Sequence, residues 1–457
     1  MSRAPRHLSA PSLRILAPLR HRDYRLVVAA SLVSLFGDGF FLVAIALQVY
    51  AVSNVPTAMS VVGAVWSGSA LLFLLVGGWA SDHLQRRRIM IAADVVRGLA
   101  IGSAGVLSLT GRLQLWHLVA LGGVFGAGNA FFNPAATSIV PDLLPSAELP
   151  RANALLGVAR PAMVRLAGPA LGGVLVAAAG PGSAFLVDAT TFLLSAALLT
   201  FVSSRPVEAS PGAGLRTWVA DVSEGFGFVR ARPWCWAWLA GAALSMLAYY
   251  GPLEVLVPFV LKNELALGER EAARWLGFIF AAGGLGAVGV SVVVGQTDLP
   301  RRFVTAMYAG EAVAVLAIAT YGFMTSPWQG MLAALVVHGG FAFSEITWTT
   351  MLQRLVPRRL LGRVSSVDWL TSVALIPVSF ALAAPLAQQL SPRGALVAAA
   401  LLGGAVLTAL PFSSRVREPE RPGLVLPPGG TAGADPVPRE EAAGHERHGT
   451  ADVRPMA

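Results

Sequence analysis

Apolar positions fall in long unbroken runs along this 457-residue chain, not at the spacing of a one-sided helix or the alternation of a half-buried strand. A helix needs about 20 apolar residues to cross roughly 30 Å of hydrocarbon. Twelve runs reach that length: 26–52, 57–80, 89–109, 115–139, 152–179, 183–202, 236–261, 275–295, 303–323, 328–352, 364–388 and 394–412. Gly and Pro recur inside them, as membrane helices tolerate. Two segments depart from the pattern. In 203–235, Leu215, Trp218, Val219, Val222, Phe226 and Val229 recur at helical spacing, which predicts an amphipathic helix on the inner membrane surface. In 413–457 the chain turns to Pro, Gly, Ala and charge, as in GLVLPPGGTAGADPVPRE, and is expected to be a disordered tail. The expected organisation is an N-terminal segment 1–25, a six-helix half 26–202, the linker 203–235, a second half 236–412 and the tail: an all-α membrane protein.

Composition supports that class. Hydrophobic residues make up 55% and charged residues 13%, against about a quarter charged in soluble domains. The net charge of +9 follows topology and calls for no nucleic-acid partner. Three Arg lie in 81–88, four in 203–235 and four in 353–363, against none in 53–56, 180–182 and 324–327. Basic loops stay in the cytoplasm, so both termini are expected inside. The first run is too long for a signal peptide and no small-residue cleavage site follows it, so it should be retained. Lys262 is the only Lys among 34 basic residues, and Cys235 the only Cys, which excludes an internal disulfide. No Gly-x-x-x-x-Gly-Lys-Ser/Thr is present, which excludes direct ATP drive within this chain. Neither metal-ligand spacing nor a nucleophile elbow occurs, so no metal, no cofactor and no enzymatic activity are expected.

An offset of 216 aligns the two halves without a gap. Asp38 falls on Glu254, Asp82 on Asp298, Arg86 on Arg302, Val140-Pro141 on Val356-Pro357, and Pro169 on Pro385. Six spans separate each pair, an even number, so the halves share one orientation. Two parallel six-helix pseudo-repeats resemble the major facilitator fold.

Two motifs carry the resemblance further. GGWASDHLQRRR (77–88) resembles that superfamily's loop motif through Gly78, Asp82, His83, Arg86 and Arg87. The resemblance implies a cytoplasmic latch. Physically, Gly permits close helix approach, and the acid and Arg residues can cap helix ends or bind carboxylates and lipid phosphate. RLAGPALGG (165–173) resembles the antiporter motif through Gly168, Pro169, Gly172 and Gly173, with Val164 in place of an expected Gly; it implies proton-driven export. Small residues at this spacing also serve plain helix packing. Segments such as HRDYRLVVAASLVSLFGDGF and LVPRRLLGRVSSV resemble the enterobactin-exporter and macrolide-efflux branch. The superfamily's fourth-span Arg is missing from GGVFGAGNAFF.

Charges inside spans are functional candidates. Asp38, between two glycines, lies roughly 18 Å into the first run, near the midplane. Glu254 stands between Pro252 and Pro258, and in the resembled architecture the first and seventh helices line the central cavity. Arg165, Glu311 and Glu345 complete the candidate proton-coupling and substrate-cavity set. Asp38 could instead be a structural acid, paired with Arg165 or capping a broken helix. Asp94 and Arg97 are spaced to pair on one helix face; Asp188, near the outer end of its run, reads as structural and His338 as a hydrogen-bonded interior residue. The expected function is a proton-coupled exporter of amphipathic small molecules such as drugs, macrolides or siderophore-like metabolites. Its partners would be substrate, protons and lipid, and it would act as a monomer in a bacterial inner membrane. A proton-coupled importer, a channel or lipid mover, and a non-transporting scaffold remain as alternatives.

Overall fold

The structure, a computed structural model, describes residues 16–203, 215–297 and 300–421. Among these are twelve helices long and apolar enough to span a membrane. They are α1 (Arg22–Val52), α2 (Pro56–Ser81), α3 (Arg86–Leu109), α4 (Leu115–Leu143), α5 (Arg151–Ala179), α6 (Pro181–Thr200), α7 (Pro233–Glu264), α8 (Glu269–Val294), α9 (Phe303–Phe323), α10 (Pro327–Leu355), α11 (Arg359–Leu390) and α12 (Pro392–Phe412). The helices overrun the apolar runs because polar first turns suit them. Pro opens α2, α6, α7, α10 and α12, where its missing N–H costs nothing. Glu269 and Glu271 open α8 six residues before its apolar run, where carboxylates meet the positive helix end.

Packing repeats between the halves. α2 lies on α4 and α3 on α6; correspondingly, α8 lies on α10 and α9 on α12. Across the halves, α5 packs on α8 and α2 on α11. Exchanging the halves turns one of these contacts into the other, as parallel pseudo-repeats require.

The apolar core shows where the halves meet. One large buried cluster includes Phe41, Tyr50, Met59, Val176 and Phe185 of the first half with Leu256, Leu276, Val337 and Phe380 of the second. It occupies the end bearing the α1–α2 and α7–α8 turns. Polar bridges lace that end. The Tyr50 hydroxyl donates to the Val255 carbonyl (2.5 Å), Lys262 Nζ to the Tyr50 carbonyl (2.9 Å), and the Asn54 and Asn263 amides bond each other at 2.6 and 3.1 Å. At the Arg-rich end each half keeps its own core, one around Tyr24, Met90 and Phe132, the other around Trp238, Tyr308 and Trp348. The halves therefore form a V, sealed at one end and parted at the other.

Two expectations about the segments outside the spans are corrected. The linker helix Leu215–Ala231 packs on protein over its second half: Gly225 lies against the Arg363 carbonyl of α11, and Glu224 pairs with Arg363. Val229 is buried as its spacing suggests, but Phe226 is exposed and Phe228 is buried instead. The side chains of Leu215, Trp218, Val219 and Val222 lie outside the described residues. The tail does not begin at 413. Val416 is buried, and Glu420 accepts from the Thr305 backbone N–H (2.8 Å) and hydroxyl (3.0 Å). Those first-turn N–H groups of α9 lack helical partners, and a carboxylate there also meets the favourable end of the helix dipole. Residues 422–457 lie outside the described part.

Candidate transport site

Two helices are distorted at mid-span, each at a charge. Ala162–Ala167 in α5 and Pro252–Leu256 in α7 are π-helical. Pro169 and Pro258 follow Arg165 and Glu254 by four residues, and a proline cannot donate to the carbonyl four positions back. The wider turn absorbs that loss: the Gly168 N–H reaches five residues back, to Met163. Not one residue of Ala162–Ala167 is buried, and Glu254 is half-buried between buried Leu253 and Val255. Charges held there against hydrocarbon would be costly. Arg165 points across the cleft to the other half.

Arg165 Nη1 donates to the Tyr249 hydroxyl (3.2 Å), which meets His338 Nε2 (2.9 Å), while His338 Nδ1 meets the Ala334 carbonyl (3.0 Å). Because a carbonyl only accepts, Nδ1 carries the hydrogen, and Nε2 of the neutral ring accepts from Tyr249. The chain runs in one direction from α5 through α7 to α10, so it ties the two halves at the centre. Glu254 lies close enough for its charge to act on Arg165. His338 is a hydrogen-bonded interior residue, as the sequence suggests.

Asp38 belongs to a different cluster, inside the first half. The charges acting on it are Arg97, Asp94 and Arg160. Arg97 and Asp94 form an ion pair on α3. Ser195 donates to the second Asp94 oxygen (2.6 Å), and Arg97 donates to Asn129 (2.8 Å). The Arg97 guanidinium also lies over the Phe132 and Phe192 rings, 4.3 and 4.4 Å from their centroids, a cation–π arrangement that stabilises a dehydrated cation. The alternative of an Asp38–Arg165 pair is therefore corrected, since Arg165 serves Tyr249. Asp188 is fully buried and lies against Gly37 of α1. Asp38 and Glu254, equivalent in the repeat, are not brought together. Tyr50 lies roughly 18 Å along α1 from Asp38, yet it bonds Val255, the neighbour of Glu254. Glu254 thus sits nearer the sealed end.

The glycines at 168–173 join these two regions. A Cβ on Gly168 would fall 2.6 Å from the Phe36 carbonyl and 2.8 Å from Gly39 Cα; one on Gly172 would fall 2.9 Å from Phe40 Cα. Gly173 does the same toward the other half, 2.9 Å from Gly277 Cα of α8. One face of the motif seats α5 on α1 beside Asp38, and the next face seats it on α8. Gly39→Val would put its Cβ 2.6 Å from the Gly168 backbone, which cannot rotate away. Overpacking of this kind costs about 1–3 kcal/mol. The purified variant should melt at lower temperature by differential scanning fluorimetry; an unchanged midpoint would contradict the close seating.

The sequence profile of the Major Facilitator Superfamily matches residues 27–374. The chain belongs to that superfamily. It is 28% identical to the multidrug efflux pump Tap of Mycolicibacterium fortuitum, over 86% of this chain and 96% of that protein. It is 26% identical to the enterobactin exporter EntS of Escherichia coli O1:K1, over 81% and 87% respectively. The crystal structure of the nucleoside transporter NupG superposes with a TM-score of 0.63 at 9% identity, covering 85% of this chain and 98% of that one. The family resemblance drawn from the motifs thus holds, and the chain is a multi-pass membrane transporter with efflux-pump relatives.

Within this transporter the α2–α3 motif braces its own half. Arg86 pairs with Asp142 at the end of α4. Arg87 donates to the Leu199 and Thr200 carbonyls (2.9 and 2.6 Å), capping the end of α6 where carbonyls lack helical partners. Close approach occurs at Gly77, packed on Ala130 and Phe131; Gly78 has open space beside it. The Asp82 side chain and Asp298 lie outside the described residues. Glu311 is buried in the second half beside the Ser245 and Ser344 hydroxyls, which removes it from the cleft set. Glu345 is exposed on α10 within reach of Thr349. Sequence reasoning passed over Tyr249 and Asn129. The signal for Tyr249 was its place beside Gly251-Pro252, where α7 loosens; Asn129, between small residues on α4, gave none.

Proposed function

We propose that this transporter is a proton-driven exporter of amphipathic small molecules in a bacterial cytoplasmic membrane, working as a monomer with both termini in the cytoplasm. The observation that carries the reading is a cleft sealed at the Tyr50–Lys262 end, with Asp38 on one half and Glu254 on the other and the Arg165–Tyr249–His338 chain between them. If basic loops face the cytoplasm, the open mouth of the V faces it too, and substrate enters from inside. Half-buried Phe36, Tyr250 and Phe341 offer aromatic faces beside the acids, suited to molecules with an apolar body and a polar or cationic end. In this account a proton taken up from outside neutralises a carboxylate, and its release to the cytoplasm resets the cycle. Opening the sealed end would break the Lys262 and Asn54–Asn263 bridges, and the space beside Gly78 is available for the other end to close. The names of the Tap and EntS relatives support export.

Inside-out vesicles carrying the protein should accumulate ethidium when their lumen is acidified, with saturation, and lose it on adding a protonophore. Glu254→Gln should reduce that accumulation severalfold. Uptake driven in the opposite sense would identify an importer, and unsaturable leakage a channel.

A further inference from the structure

Three acids and two arginines meet inside the first half, and their bonding leaves one acid over. Asp94 on α3 has both oxygens engaged, by Arg97 and by Ser195. Arg97 spends its amino groups on Asp94 and Asn129. Arg160 of α5 is the other cation acting on Asp38. The charge of Arg97 also reaches Asp188 of α6, but among the described residues no cation forms an ion pair with it. Asp188 is fully buried; among the described residues its one donor is the Thr191 hydroxyl at 3.4 Å, and its Oδ2 has no partner. Asp38 also has a buried oxygen, Oδ1, without a partner among the described residues. The two residues are neighbours: a Cβ on Gly37 would overlap the Asp188 carboxylate and the Thr191 hydroxyl. Gly37 thus lets the α6 acid lie on the α1 backbone one residue from Asp38, and the charge of Asp38 acts on Asp188.

We propose that Asp38 and Asp188 form a single proton site, the two carboxylates holding one proton between them. An uncompensated buried carboxylate is costly, and one added proton makes the cluster neutral: three acids, two guanidiniums, one hydrogen ion. The bond formed is O–H on one carboxyl, donated to the orphaned oxygen of the other; on release the proton passes to water entering beside half-buried Asp38. Asp188, buried behind it, never meets water directly. Its contribution is the third carboxylate, which leaves the acids one in excess of Arg97 and Arg160 and so calls for one proton in the pair. The role of this site in transport rests on the proton-driven reading above, but its existence does not.

The test is infrared spectroscopy of the full-length protein in lipid nanodiscs, following the protonated-carboxyl stretch against pH. The wild type should show a band that disappears as pH rises. Asp188→Asn and Asp38→Asn should each lose the component that belongs to this pair, leaving what Glu254 and Glu311 contribute, because either leaves two acids for two arginines. Asp188→Glu keeps the charge count, so it should keep the band while moving its midpoint; it also decides the matter if the Asn variant does not fold. A band and midpoint unaltered by either Asp188 substitution overturn the shared site, as does a wild type lacking the band or responding to sodium instead of pH. Ethidium flux in vesicles of the same proteins separates the two readings. A titrating band without proton-driven flux removes the coupling and leaves the shared proton; flux without the band removes the shared proton alone.

Discussion

Arg165→Met is expected to cut proton-driven export by about tenfold or more, equivalent to ~1.4 kcal/mol or above, while the protein stays folded. Arg165 is the cation of the central chain, and its bond to Tyr249 crosses from one half to the other. Hydrogen bonds to a charged group contribute about 1.5–3 kcal/mol. Met fills similar volume without leaving a buried donor behind, and the Tyr249 hydroxyl can still donate to His338. What is lost is the cation facing Glu254 and the register it imposes between the halves. Arg165→Lys should recover only part of the flux, because an ammonium is a point donor on a flexible stem and does not reproduce a planar fork. Vesicle flux, normalised to protein recovered by gel filtration, measures both variants. Wild-type flux in Arg165→Met would take the central chain out of the transport cycle.

Asp38→Asn is expected to return an efflux-deficient host to the drug susceptibility of the empty vector, with unchanged protein level. The substitution preserves shape and removes only the capacity to exchange a proton. Asp38 is half-buried and its Oδ1 has no partner among the described residues, so little protein hydrogen bonding depends on its charge. Exchange of substrate for substrate, which needs no proton, should survive, and residual flux should ignore the pH gradient. Full resistance in the variant would exclude Asp38 from coupling.

The scaffold was legible because hydrocarbon imposes a length and a composition on each span. The Asp94–Arg97 pair was legible too, since it is local to one helix. Pairings across helices were not. The partner of Arg165 is Tyr249 and not Asp38, a choice fixed by how α5 meets α7. The contact of Asp188 was not legible, because distance from a span end says nothing about the helix it faces; a glycine at 37 admits it. Glu311 looked like a cavity acid by depth alone, yet α9 turns it inward beside two serines. The latch glycine was missed by one residue, which on a helix is a rotation of about 100°: Gly77 meets α4 and Gly78 does not. Glu420 was hidden in a stretch whose composition suggests no structure at all.

That last residue governs how the gene can be edited. A stop codon placed after Arg421 spares the carboxylate that holds Thr305, whereas one placed anywhere from 413 to 419 strips the opening turn of α9 of its acceptor. Affinity handles and fluorescent fusions therefore belong downstream of 421, and a truncation series meant to probe the C-terminal extension should start there and not at 412.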